Sequence, residues 1–136
     1  MKVFLDTNIF IDILLDRQPF SSESAKVYKL CENAMLDGYV APITINNIYY
    51  ICRKAKQIGS IKEYLLDIAT FFTVSMMNSD SIKKANSFKI SDYEDALQYA
   101  MALQNGCEYL VTRNVKDFKH MTTLKVLTPE EFLRIL

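Results

Sequence analysis

Hydrophobic positions along the chain form short continuous runs that alternate with longer segments of helical spacing. Five runs are short enough for strands, and we predict strands at KVFLD, YVAPI, FTVSMM, CEYLVT and KVL. The segments between and after them place apolar residues three and four positions apart, which predicts seven helices. Such alternation is typical of an α/β fold with a central, mostly parallel β-sheet flanked by helices.

The predicted helices carry local start and stop signals. Gly38 is predicted to end the second helix, and Gly106 the helix over the DYEDALQYAMAL segment. Serine or threonine followed three positions later by glutamate predicts three capping boxes, at Ser60–Glu63, Ser91–Glu94 and Thr128–Glu131.

Length and composition narrow the class of protein. The 136 residues predict a single domain over residues 1–136, and 16 basic residues balance 16 acidic ones. Nucleic acid would therefore have to bind through a local basic patch. A single histidine, His120, disfavours a zinc site or a catalytic triad. Asp6 and Asp12 interrupt the apolar N-terminus, so we expect no signal peptide and no membrane association. Three scattered cysteines indicate reduced thiols and a cytoplasmic protein.

Acidic side chains follow two of the predicted strands. Asp6 ends the first strand, and Asp117 follows the strand in YLVTRNVKDF. Asp92 and Asp95 lie three apart in the first turn of a helix and therefore share a side of it. In parallel sheets ligands bind beyond the carboxyl ends of the strands, so we expect Asp6, Asp95 and Asp117 to converge. Clustered carboxylates repel one another unless a proton or cation intervenes, and Mg²⁺ or Mn²⁺ prefers such oxygen ligands.

Each acid also has a structural explanation that spacing alone leaves open. Glu94 is most simply the partner of Ser91 in a capping box. Asp92 suits a helix N-terminus, and Asp6 could be a plain helix cap. Asp117 could be a turn residue, and Asp12 is expected on a solvated helix face.

Four segments together resemble the PIN-domain ribonucleases, particularly the VapC-like toxins of bacterial type II toxin–antitoxin pairs. They are FLDTNIFIDILLDRQPF, DYEDALQYAMAL, LVTRNVKDF and LTPEEFL. The resemblance spans nearly the whole chain and implies a PIN-like three-layer fold. It also implies a metal-dependent endoribonuclease that hydrolyses RNA phosphodiester bonds, forms a homodimer and is neutralised by a cognate antitoxin protein.

The resemblance assigns roles to individual residues. It implies that Asp6, Asp95 and Asp117 hold Mg²⁺ or Mn²⁺, with Asp92 as an additional ligand. Polar positions of the motifs would support this pocket, and they are Asn8, Thr112 and Asn114. The chain departs from the family at Asn47, where a glutamate is usual, and an amide brings no charge.

Binding of RNA beside an acidic pocket requires cations. The candidates are Arg53, Lys54 and Lys56 on the third helix, and Arg113, Lys116 and Lys119 beside LVTRNVKDF. Arg113 could instead pair with Asp92 or Asp117.

Three alternatives to a nuclease differ in what the sequence must supply. A phosphoacceptor receiver domain needs a lone aspartate and a lysine closing separate strands, which FTVSMMNSD and YLVTR do not provide. A phosphatase with an Asp-x-Asp motif is disfavoured because Asn8 stands at the second position. A catalytically impaired PIN-fold protein that binds RNA or a protein partner is the stronger alternative, and Asn47 is its chief support.

Overall fold

The computed structural model describes residues 1–136 and has the predicted number of strands and helices. In chain order the elements are β1 (Lys2–Leu5), α1 (Thr7–Leu14), α2 (Ser21–Glu32), β2 (Asp37–Val40), α3 (Pro42–Cys52), α4 (Ile58–Phe71), β3 (Thr73–Val74), α5 (Ser79–Ser87), α6 (Tyr93–Gln104), β4 (Tyr109–Val111), a 3-10 helix (Val115–Phe118), β5 (Lys125–Leu127) and α7 (Pro129–Arg134). None of the helices combines the length and apolar character needed to cross a bilayer.

The five strands form one sheet in the order β3-β2-β1-β4-β5, and every pairing is parallel. The prediction of a mostly parallel sheet between helices is therefore confirmed. β1 lies at the centre, where Phe4 is in register with Tyr39 on one side and Leu110 on the other. All strand carboxyl ends therefore meet at one edge of the sheet.

Side chains of β1 alternate between the two faces, and each face has its own core. Val3 and Leu5 belong to a cluster with residues of α1, α2, α3, α4 and α7, whereas Phe4 packs in a second cluster with α5 and α6. This two-sided burial explains why the strands are continuous apolar runs. It also gives the three layers implied by the family resemblance.

Of the two glycines predicted to end helices, Gly38 does not and Gly106 does. Gly38 does not end a helix, because α2 stops at Glu32 and Gly38 lies within β2. A Cβ atom at Gly38 would stand 2.6 Å from the Phe72 ring and 2.8 Å from the Cys31 sulfur, so packing requires this glycine. α6 ends at Gln104, and Gly106 takes a left-handed conformation with φ of 70° just beyond it.

The helix caps agree with the sequence only in part. The Thr128–Glu131 capping box of α7 is present. α4 begins at Ile58 after an extended Gln57, so the predicted Ser60–Glu63 box does not form there.

Candidate functional site

Asp6 stands at the carboxyl end of the central strand, and its carboxylate is fixed by two side chains from other elements. The Thr112 hydroxyl donates to Oδ2 at 2.7 Å, and Gln98 Nε2 donates to Oδ1 at 2.8 Å. Asp6 precedes α1 but makes no side-chain capping hydrogen bond, so capping does not explain its position. Only 2% of the residue is exposed, and burial raises the pKa of Asp6 although both hydrogen bonds oppose the rise.

Asp92, and not Ser91, caps α6. Its Oδ1 accepts a hydrogen bond from the Asp95 backbone N–H at 3.0 Å. The predicted Ser91–Glu94 capping box is therefore wrong, because the helix begins at Tyr93, one residue later than that box requires. The shift frees the Glu94 side chain from the helix terminus.

Glu94 instead faces α1 and α3. Asn47 Nδ2 donates to its Oε1 at 2.6 Å, and the Thr7 hydroxyl donates to its Oε2 at 2.9 Å. The sequence interpretation missed Glu94 as a member of the cleft. The one available signal was Asn47 itself, because an amide in place of an acid can donate to a carboxylate nearby.

Asp95 has a second perturbed carboxyl group in the site. It is 7% exposed, and burial together with the charges of Asp6, Asp92 and Asp117 raises its pKa to about 8. Without a cation the group therefore holds a proton near neutral pH. A divalent ion in the cleft would favour the charged form instead.

One cleft of about 230 Å³ collects most of the residues that the sequence singled out. Its lining contains five carboxylates and three amides: Asp6, Asp92, Glu94, Asp95, Asp117, Asn8, Asn47 and Asn114. Thr112 is fully buried behind Asp6, and its hydroxyl also accepts from the Asn114 backbone N–H at 3.1 Å. No lysine, arginine or histidine lines this cleft.

The donor set of the cleft fits a hard divalent cation. All of its polar side chains offer oxygen, and the raised pKa of Asp95 reflects burial together with the negative charge of the neighbouring carboxylates. No three acidic, histidine or cysteine side chains already reach ligating geometry. Ligation would therefore require the carboxylates to draw closer together than they are here.

Arg113 lies outside the cleft. Its Nε is 2.9 Å from Asp12 Oδ2, and its guanidinium carbon lies 4.4 Å from the centre of the Phe20 ring. The partner is thus neither Asp92 nor Asp117. The expectation for Asp12 was also wrong, since it is fully buried rather than on a solvated helix face.

Two of the other candidate cations, Arg53 and Lys116, also lie outside the lining of the acidic cleft. Arg53 lies over the Tyr50 ring at 4.8 Å, away from the residues of the acidic cleft. Lys116 lines a neighbouring groove that also contains Asp117.

Comparisons with known proteins agree with this architecture. A protein named Ribonuclease VapC1, from Aquifex aeolicus (strain VF5), is 29% identical over 136 residues, which cover 96% of this chain and 92% of the relative. A structure titled VapBC-1 from nontypeable Haemophilus influenzae has a TM-score of 0.71 at 19% identity, with 96% of this chain and 99% of that chain covered. A structure titled as a toxin-antitoxin complex from Klebsiella pneumoniae has a TM-score of 0.70 at 24% identity, with 93% of this chain and 97% of that chain covered.

The family itself follows from a match that covers most of the chain. The family model described as PIN domain matches residues 2–116, which include every residue lining the acidic cleft except Asp117. The chain therefore belongs to the PIN-domain family.

Proposed function

We propose that this protein is a metal-dependent endoribonuclease, the toxin of a toxin–antitoxin pair, that hydrolyses RNA phosphodiester bonds. The observation that carries the proposal is the cleft with five carboxylates at the carboxyl edge of the sheet, where the pKa of Asp95 is raised to about 8. The similarity to a protein named as a ribonuclease supports the same activity.

Asp6, Asp95 and Asp117 would hold the ion, and Asp92 and Glu94 are within the same cleft as additional ligands. Mg²⁺ or Mn²⁺, when bound, would lower the pKa of water and stabilise charge on the phosphoryl oxygens.

The chain's own residues prepare the site. Thr112 and Gln98 keep both Asp6 oxygens oriented, which reduces the reorganisation needed when substrate arrives. Asp95 gives up its proton as positive charge enters the cleft, because its raised pKa originates in burial and in neighbouring carboxylates. Asn8 and Asn114 add neutral polar groups to the wall of the cleft without more negative charge.

Glu94 is the residue that compensates for the departure at Asn47. The carboxylate that the family usually carries at that position is replaced by an amide, and the amide holds a carboxylate from α6 in the same cleft. A carboxylate is therefore present beside the amide in this part of the cleft. The presence of this carboxylate argues against the hypothesis that the chain is a catalytically impaired PIN-fold protein that only binds RNA or a protein partner.

We further propose two protein partners. Structures titled as toxin–antitoxin complexes have the same fold, which supports a cognate antitoxin for this chain. α3 exposes Tyr50 and Ile51 by about half of their surface, and such apolar exposure is compatible with a homodimer or antitoxin interface.

The activity is tested with purified protein and a fluorescent single-stranded RNA, in Mn²⁺ or Mg²⁺ and in chelator. We expect cleavage only with the metal ion. Asp6→Asn and Asp95→Asn should each reduce the cleavage rate by more than roughly 100-fold. Residues that only hydrogen-bond to a metal ligand typically account for roughly 10–100-fold, and the ligands themselves should account for more. Asp67→Asn, an exposed site on α4, is the matched control. Cleavage that survives in chelator or in both cleft variants would refute the assignment, whereas tight RNA binding without cleavage would favour the binding module.

A further inference from the structure

A second groove adjoins the acidic cleft and has the opposite charge. It has a volume of about 520 Å³ and lies between the connection from α5 to α6 and the 3-10 helix. Four basic side chains line it, namely Lys89, Lys116, Lys119 and His120. Asp117 lines both cavities, so the two are continuous at that residue.

The three lysines of this basic groove are free to bind a ligand. All three are exposed, and none has a carboxylate within 4.0 Å, in contrast to Arg113 and Lys29, which are held in ion pairs. Three unpaired cations on a concave surface attract an anion with repeated charges.

The apolar side chains of the basic groove are already committed to the core. The Phe88 ring packs edge-on against Tyr99 with centroids 5.3 Å apart, and Ile90 is 9% exposed. The floor therefore offers little to an inserted side chain or base. Contacts to a ligand would be made by the lysine rim, and charge rather than base identity would determine binding.

We propose that the basic groove binds the phosphate backbone of single-stranded RNA on one side of the cleaved bond and leads it past Asp117 into the acidic cleft. This inference rests on the proposed nuclease function. The acidic cleft repels phosphate, so the free energy that brings RNA to it must come from cations outside it. The basic groove is the cationic surface that shares a residue with the cleft, and Arg113 is occupied by Asp12.

Binding is measured in chelator, so that the result does not depend on catalysis. The probe is a fluorescent single-stranded RNA, titrated at several salt concentrations. The groove variant carries Lys89→Ala, Lys116→Ala and Lys119→Ala. The matched control carries Lys62→Ala, Lys83→Ala and Lys125→Ala, which remove the same charge from exposed sites that line neither cavity.

At low salt the groove variant should bind RNA at least about tenfold more weakly than the unmodified protein. The slope of log association constant against log salt concentration should also be shallower by about 2, because each of the three lost phosphate contacts accounts for about 0.7. The control variant should resemble the unmodified protein. With Mn²⁺ present, the groove variant should have a raised KM for long single-stranded RNA, whereas the KM of the control variant should match that of the unmodified protein.

Equal affinity and equal salt dependence of the two triple variants would overturn the proposal. A second probe is a fluorescent polyglutamate peptide. If the groove variant loses binding to this peptide but still binds RNA like the unmodified protein, the proposal is also overturned, because the basic groove would then serve an acidic protein partner. If the unmodified protein binds RNA but cleaves nothing, the proposed function fails and the binding comparison still decides the role of the basic groove.

Discussion

Replacing Asn47 by glutamate is expected to destabilise the metal-free protein and not to increase its activity. Asn47 Nδ2 now donates to Glu94 Oε1 at 2.6 Å. The substitution removes this donor and brings a second carboxylate toward the first, inside a cleft that already has five.

The size of the effect follows from that contact. A hydrogen bond to a charged group contributes about 1.5–3 kcal/mol. Two carboxylates about 4 Å apart would add repulsion of up to about 4 kcal/mol at an effective dielectric constant of 20. Both side chains are only half-buried, so they can turn toward solvent and relieve most of that repulsion. We therefore count the hydrogen bond alone, which corresponds to a fall in Tm of roughly 5–10 °C for a chain of this size.

Urea and thermal unfolding at pH 8 in chelator measure this difference. Asn46→Glu, one residue earlier on the exposed side of α3, adds the same charge and serves as the control. Saturating Mg²⁺ should narrow the difference in stability, because the additional carboxylate strengthens binding of a cation that stabilises only the folded state. The reasoning is refuted if Asn47→Glu is as stable as Asn46→Glu in chelator, or if it cleaves RNA faster than the unmodified protein.

Three further changes probe the site. The pKa of Asp95, about 8 when folded, exceeds the unfolded value of about 4, so the folded metal-free protein binds the extra proton and loses stability as pH rises through this window. Asp95 contributes a slope of up to about 1.4 kcal/mol per pH unit, and Asp95→Asn should make the slope shallower in urea unfolding from pH 5 to 8; an unchanged slope would contradict this. Thr112→Val removes the donor to Asp6 and should weaken Mn²⁺ binding about 10–100-fold by calorimetry, with the fold intact; unchanged affinity would show that the hydrogen bond is dispensable. Arg113→Ala leaves the buried Asp12 carboxylate with Arg17 alone, whose Nη1 is 3.6 Å from Oδ1, and unfolding should become up to about 3 kcal/mol easier; weaker RNA binding at unchanged stability would instead make Arg113 an RNA contact.

The sequence predicted the fold well because the strands are buried on both faces and therefore stand out as apolar runs. The first residues of the helices were harder to predict. In SDYED both Ser91 and Asp92 are suitable caps, and the choice depends on where the preceding backbone leaves its extended conformation. That in turn is fixed by how α6 packs on the sheet, which no local pattern encodes.

The acids of the cleft were predictable where a strand end carries them. Asp6 and Asp117 follow β1 and β4, and a parallel sheet brings such ends to one edge. The position of Glu94 was not predictable, because its partners Asn47 and Thr7 are 47 and 87 positions away in the chain. The pairing of Arg113 with Asp12, 101 positions apart, was missed for the same reason.

The central position of β1 has a consequence for the newly synthesised chain. Asp6 is synthesised well before the two side chains that orient it, Gln98 and Thr112, which come 92 and 106 positions later. β1 also lacks its β4 neighbour until residue 111 has been added. A ribosome therefore carries an incomplete cleft throughout the interval between Asp6 and Thr112. Fragments that end before β4 should be harmless to the RNA that encodes them, so the fold itself delays activity until β4 has been added.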